Sequence, residues 1–203
     1  MTVKRLRQRQ SEATKELLVS IARERFTEQG YAATSIEDIV QRAGVAKGAL
    51  YHHFSGKDAL FRAVYEAVLA EAVSAVMAAA LAAQEPWPAV RAGLSAFLDA
   101  CLDPSFRRIV ILESVSVLQH ELTEGGIGDV ELPMLRAVLT PLTASDVLPG
   151  VTVDSLAHVA LGGLYGAALY IARSPDPNAA RAEVDVVLDT LVQGLRTSAA
   201  TGS

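Results

Sequence analysis

A single cysteine, Cys101, is all the thiol chemistry this chain carries. That excludes an internal disulfide framework and a zinc site of several thiolates, and it leaves burial in a core as the ordinary fate of the side chain. Strand signals are equally scarce. Asn-Gly and Asp-Gly hairpin turns are absent, and sustained alternation of apolar and polar residues is rare. The sheet architectures fall away and an all-α chain is expected. The N-terminus, MTVKRLRQRQ, is basic and lacks the apolar stretch of a signal peptide. No uncharged apolar run is expected to reach the roughly 18 to 20 residues of a membrane span, so a cytoplasmic protein with no membrane partner is expected.

Positive charge is in deficit, with a formal net charge of −5, which taken alone argues against a nucleic-acid partner. The deficit is unevenly shared. Residues 1–60 hold ten lysines and arginines against seven acids, a balance of +3, and the remainder stands at −8. All four lysines, Lys4, Lys15, Lys47 and Lys57, lie in the first part. A small basic module joined to a larger acidic one is the arrangement expected where only one end meets phosphates.

What the sequence does contain is helical periodicity, in about nine segments. Ala13, Leu17, Leu18, Ile21, Ala22 and Phe26 form one stripe of a first helix over 11–29, with Ser11 as N-cap and Gly30 past its end. Thr34 or Ser35 caps a short second helix, with Asp38 in the capping-box position, and Gly44 suits the left-handed turn that stops it. Val45 follows as a buried plug and a third helix runs over 46–53. Two short helices joined by a glycine turn are the helix-turn-helix plan.

A helix over 57–83 would be about 40 Å long and could span both modules. Further helices are read over 88–102, from Asp103-Pro104 to 118, over 130–142 with an interruption near Pro133, over 153–173 behind a Thr152 cap, and from Asp176-Pro177 onward. The expected domains are a flexible basic arm (1–10), a helix-turn-helix unit (11–56), a larger helical unit (57–196) and a disordered tail (197–203).

Helical geometry divides the third helix into two faces. Steps of 100° place Val45, Ala49, Leu50 and His53 inward and Lys47, Gly48 and Tyr51 outward, with His52 on the flank. A glycine costs a helix about 1 kcal/mol relative to alanine, and close approach to DNA is a physical reason to tolerate it at Gly48. The free N–H groups at the starts of the second and fourth helices attract anions, which makes Thr34, Ser35 and Lys57 candidate phosphate anchors. His52 and His53 diverge by about 100° and make a poor metal pair, so no metal and no cofactor are expected.

The stretch TSIEDIVQRAGVAKGALYHHFSGKDAL, together with Phe26, Gly30 and Tyr31, resembles the DNA-binding segment of the TetR/AcrR family of bacterial transcription regulators. The likeness is dense between Ala13 and Leu60. It implies a homodimer of all-α subunits, with three N-terminal DNA-binding helices and a divergent C-terminal domain for a small-molecule effector. It also implies that Thr34, Ser35, Val45, Ala46, Lys47, Gly48, Tyr51, His52 and Lys57 face a double-stranded operator, with the arm at Lys4, Arg5, Arg7 and Arg9 as a further contact. The expected function is a non-enzymatic repressor, placed on the nucleoid when bound to a palindromic operator and released by an apolar or aromatic effector.

Effector contacts under this resemblance come from Trp87, Phe97, Cys101, Phe106, Glu113, His120, Met134, His158 and Tyr165. The dimer interface is expected at Leu161, Gly162, Tyr165, Gly166 and Leu169, and at Val184, Val187, Leu188 and Leu191 on the final helix, because these apolar faces would otherwise lie open. Two alternatives keep Cys101 chemically active: a redox-sensing regulator, and a helical thiol enzyme pairing it with His120 or His158. A third is a helical adaptor that binds only protein.

Overall fold

The computed structural model describes residues 3–118, 130–143, 148 and 150–201. The first helix, α1 (Val3–Ala33), starts eight residues before the Ser11 cap expected, so residues 3–10 of the segment read as a flexible arm are helical. Its geometry breaks at Gly30, where φ 84° and ψ 169° leave the helical region. That is where the sequence placed the end of the helix. Leu18, Ala22 and Phe26 on its inner stripe are fully buried.

The helix-turn-helix follows as read. The Ser35 hydroxyl caps α2 (Ile36–Ala43) by accepting the Asp38 N–H, and Gly44 closes it at φ 65°. Val45 packs against the core beneath α3 (Lys47–His53), and Leu50 is wholly enclosed. Lys57 then opens α4 (Lys57–Ala82), which buries Leu60, Phe61, Val64, Val68, Leu69, Val76 and Ala80 along its length.

Proline begins α5 (Pro86–Ala100). The segment expected as a sixth α-helix is different. A π-helix over Phe106–Glu113 occupies most of it, followed by one turn of α6 (Ser114–Val117). Asp103 still serves as the start signal, its carboxylate accepting the Phe106 N–H at 2.8 Å.

Pro133 does not interrupt α7 (Glu131–Thr143), because a proline in the first turn has no intrahelical N–H to lose, and Pro141 sits inside its last turn. Thr152 caps α8 (Val153–Arg173) through the Ser155 N–H, and Asp176 accepts from Asn178 and Ala179 at the start of α9 (Pro177–Thr201). That last helix runs through most of the stretch expected to be a disordered tail.

Two apolar clusters hold the chain together. The larger runs without interruption from Phe26, Ile39 and Leu50 through Phe61 and Val64 to Leu98, Cys101, Phe106, Ile109 and Ile171, so the boundary read near residue 57 does not divide the core. The smaller gathers Val90, Leu139, Leu142, Ala157 and Val192, with Trp87 packed against it. Both α4 and α8 are long and apolar enough to cross a membrane by length and composition alone. This corrects the expectation drawn from the sequence, since 155–172 holds no acid, lysine or arginine.

Candidate nucleic-acid interface and effector cavity

The third helix presents the two faces that helical geometry dictates. Lys47, Gly48, Tyr51 and His52 are exposed, Tyr51 at 49%, and a Cβ built on Gly48 would meet nothing within 4 Å. Ala46 is exposed at the N-cap, whereas Val45 points inward. Lys47 is already paired with Glu37 and lies 5.9 Å from the Tyr51 ring centroid. The pair raises the Lys47 pKa and lowers that of Glu37, so both stay charged. His53 makes ring contacts with His52 and Phe54.

Two of the candidate anchors are used internally. Thr34 is 1% exposed and its hydroxyl donates to the Gly30 carbonyl at 2.7 Å, so this side chain does not face solvent. Lys57 donates to the carbonyls of Tyr31 at 2.9 Å and Thr34 at 3.0 Å, with its ammonium 4.1 Å from the Tyr31 ring centroid. The Tyr31 hydroxyl meets Asp58, and its ring packs with Phe26 and Phe61. Ser35, Glu37, Tyr51 and Lys57 nevertheless line one solvent-open hollow at the start of α2.

The cavity of the C-terminal part lies among α4, α5, the π-helix, α6, α7 and α8. It leaves about 80 Å³ for the centres of water-sized molecules. Four of the predicted effector contacts line it: Phe97, Phe106, Met134 and Tyr165. The others do not. Cys101 is sealed in the core, Trp87 belongs to the smaller cluster, His158 is exposed beside the Asp154 carbonyl, and Glu113 reaches toward α1. His120 lies outside the described residues.

Burial pushes the Cys101 thiol up to about 12, which removes the thiolate that a redox sensor or thiol enzyme requires. Missed at the sequence level were Tyr65, Leu69, Val73 and Val76, whose three- and four-residue spacing on α4 was the available signal, and Ser114, Glu131, Leu135 and Leu161. Polar groups are few: Tyr65, Ser114, Glu131 and Tyr165. Burial, with Glu131 and Tyr165 nearby, raises the Tyr65 phenol to about 12, so it stays a hydrogen-bond donor.

Comparison with known proteins identifies the arrangement. Residues 87–195 match the "Tetracyclin repressor-like, C-terminal domain" and residues 18–64 match "Bacterial regulatory proteins, tetR family". The chain belongs to the TetR family. It is a DNA-binding, ligand-responsive transcription regulator and not an enzyme. A TetR-family transcriptional regulator from Pectobacterium atrosepticum superposes with a TM-score of 0.78 at 32% identity, over 92% of this chain and 95% of that one. The Tn10 TetC protein of Escherichia coli is 28% identical over 79% of this chain and 85% of its own length. The transcriptional activator FasR of Mycolicibacterium smegmatis is 38% identical, but over only 41% of this chain and 38% of its own.

The last two helices, α8 and α9, also carry an open apolar stripe. Val159 at 75% exposure, Gly162, Gly163, Gly166 and Tyr170 share one face of α8, and Val187, Leu191 and Leu195 share one face of α9. The interface residues read from the sequence divide between inside and outside. Leu161 and Tyr165 turn into the cavity, and Leu169, Val184 and Leu188 pack on the core, which leaves Gly162, Gly166, Val187 and Leu191 on the stripe.

Proposed function

We propose that this regulator binds a palindromic operator as a homodimer and acts as a repressor that an apolar or aromatic effector releases. The observation that carries the reading is the outward face of α3, where Lys47, Gly48, Tyr51 and His52 stand clear of the core beside the hollow of Ser35 and Lys57. A recognition helix with an open glycine can lay its backbone close to the groove, and the hollow offers a phosphate the helix N-terminus and an ammonium. Dimerisation through the stripe on α8 and α9 would place two such helices at the separation of about 34 to 36 Å that successive major grooves require. The effector occupies the cavity, its apolar body against α4 and α8 and one polar group at Tyr65, Glu131 or Tyr165. The protein works in the cytoplasm, on the nucleoid when bound.

The test is selection of bound duplexes from the source genome, followed by titration. A selected duplex is expected to bind at least about tenfold more tightly than random DNA, and Tyr51→Ala is expected to erase most of that preference while the thermal unfolding midpoint stays put. Absence of any preferred duplex overturns the reading. Transcription from that duplex decides the sign of regulation, since a relative matching 41% of the chain is an activator.

A further inference from the structure

The π-helix faces two ways. Phe106, Val110 and Ile111 line the cavity, and Arg108 and Glu113 reach the end of α1. Arg108 Nη1 donates to the carbonyls of Thr27 at 3.4 Å and Glu28 at 3.3 Å, and Glu113 Oε2 accepts the Tyr31 N–H at 2.9 Å. Between them these side chains serve backbone groups left without helical partners where α1 breaks. They also pair with each other, Nε to Oε1 at 3.2 Å, directly over Gly30. A Cβ at that position would stand 2.5 Å from Glu113 Oε1 and 2.6 Å from the Arg108 guanidinium.

Arg108 and Glu113 are five residues apart. In an α-helix of 3.6 residues per turn that spacing puts two side chains about 140° apart, on different faces. In a π-helix, whose hydrogen bonds run between residues five apart, they stand one above the other. The joint grip on α1 therefore exists only while Phe106–Glu113 is π-wound. Rewinding to α turns one of the pair away from α1.

We infer that Arg108 and Glu113 are the positioning residues through which the cavity sets DNA affinity. An occupant pressing on Phe106, Val110 or Ile111 drives the segment from π to α winding and parts the pair above Gly30. That frees the turn at Tyr31 and Thr34, whose carbonyls Lys57 ties to the start of α4. This rests on the effector reading above, and the test separates the two.

The cavity is filled with a tethered probe. Met134→Cys, on the wall formed by α7, is treated with hexyl methanethiosulfonate; the introduced thiolate attacks the reagent's divalent sulfur, displaces methanesulfinate and retains the hexylthio group as a mixed disulfide. Cys101 is fully buried, and mass spectrometry verifies a single label. On a duplex selected by the native chain, hexylation is expected to lower affinity about tenfold, within the usual range of allosteric coupling. It is also expected to raise amide exchange at Tyr31. With Glu113→Ala added, affinity is already reduced and the label changes it by less than about twofold; Arg108→Ala serves if the first variant does not fold. An equal tenfold loss with and without the clamp overturns the role of Arg108 and Glu113 and leaves the effector reading standing. Undiminished affinity of the fully hexylated protein overturns both.

Discussion

Lys57 shows how far a side chain can be read from its neighbours alone. Its place at a helix N-terminus marked it as a phosphate anchor, yet two of its donors go to carbonyls 23 and 26 residues earlier in the chain. Contacts at that separation leave no local signal. Lys57→Met is expected to lower the stability of the folded chain by on the order of 1–2 kcal/mol, because charge-assisted hydrogen bonds to part-buried carbonyls are lost. Chemical denaturation measures it, and a stability equal to that of the native chain would return Lys57 to a purely external role. His53 makes a second prediction. Burial, and then the charges of His52 and Lys15, hold its pKa below the ordinary 6.5. The unfolded chain therefore takes up this proton first as pH falls. Stability is full above about pH 6.5 and declines below it until the folded imidazole also protonates. Unfolding midpoints between pH 8 and 5 should show the decline, and His53→Gln should flatten it.

Among the elements, the second and third helices were legible because a cap, a glycine turn and short-range spacing define them, whereas α1 begins ahead of the Ser11 cap expected for it. Ser35, Gly44 and the 100° step of a short helix are local rules, and the structure places Lys47, Tyr51 and Leu50 on the faces those rules assign. The π-helix was not legible. Its apolar residues fit an α pattern well enough, and one additional residue per turn becomes visible only when Arg108 and Glu113 meet α1. Gly30 belongs to both accounts, as the expected helix stop and as the floor beneath an ion pair that the sequence did not announce. Gly30→Ala is expected to cost about 2 kcal/mol or more, since φ 84° with ψ 169° is a region held almost only by glycine and the new methyl meets both clamp side chains. Thermal unfolding checks the cost, and a change below about 0.5 kcal/mol would mean that the turn simply relaxes.

The assembled molecule is where the sequence was read least well. Leu161, Tyr165, Val184 and Leu188 recur at interface-like spacing together with Val187 and Leu191, but the fold turns the first four inward and leaves the others open. Leu191 is 58% exposed, so Leu191→Glu is expected to leave the fold of each subunit intact while a charge on the stripe opposes association. Sedimentation velocity should then report a monomer, and operator affinity should fall steeply with it; an unchanged dimer would move the interface elsewhere.

The sequence by itself determined the all-helical class, the helix-turn-helix and its outward face, because each depends on residues within a turn or two of one another. Tertiary structure decided which stripe lines the cavity and which lies open, what Lys57 holds, and how the π-helix grips α1. Those outcomes depend on partners far away in the chain. Helical spacing states that a face is apolar; only packing against the rest of the molecule decides what that face meets.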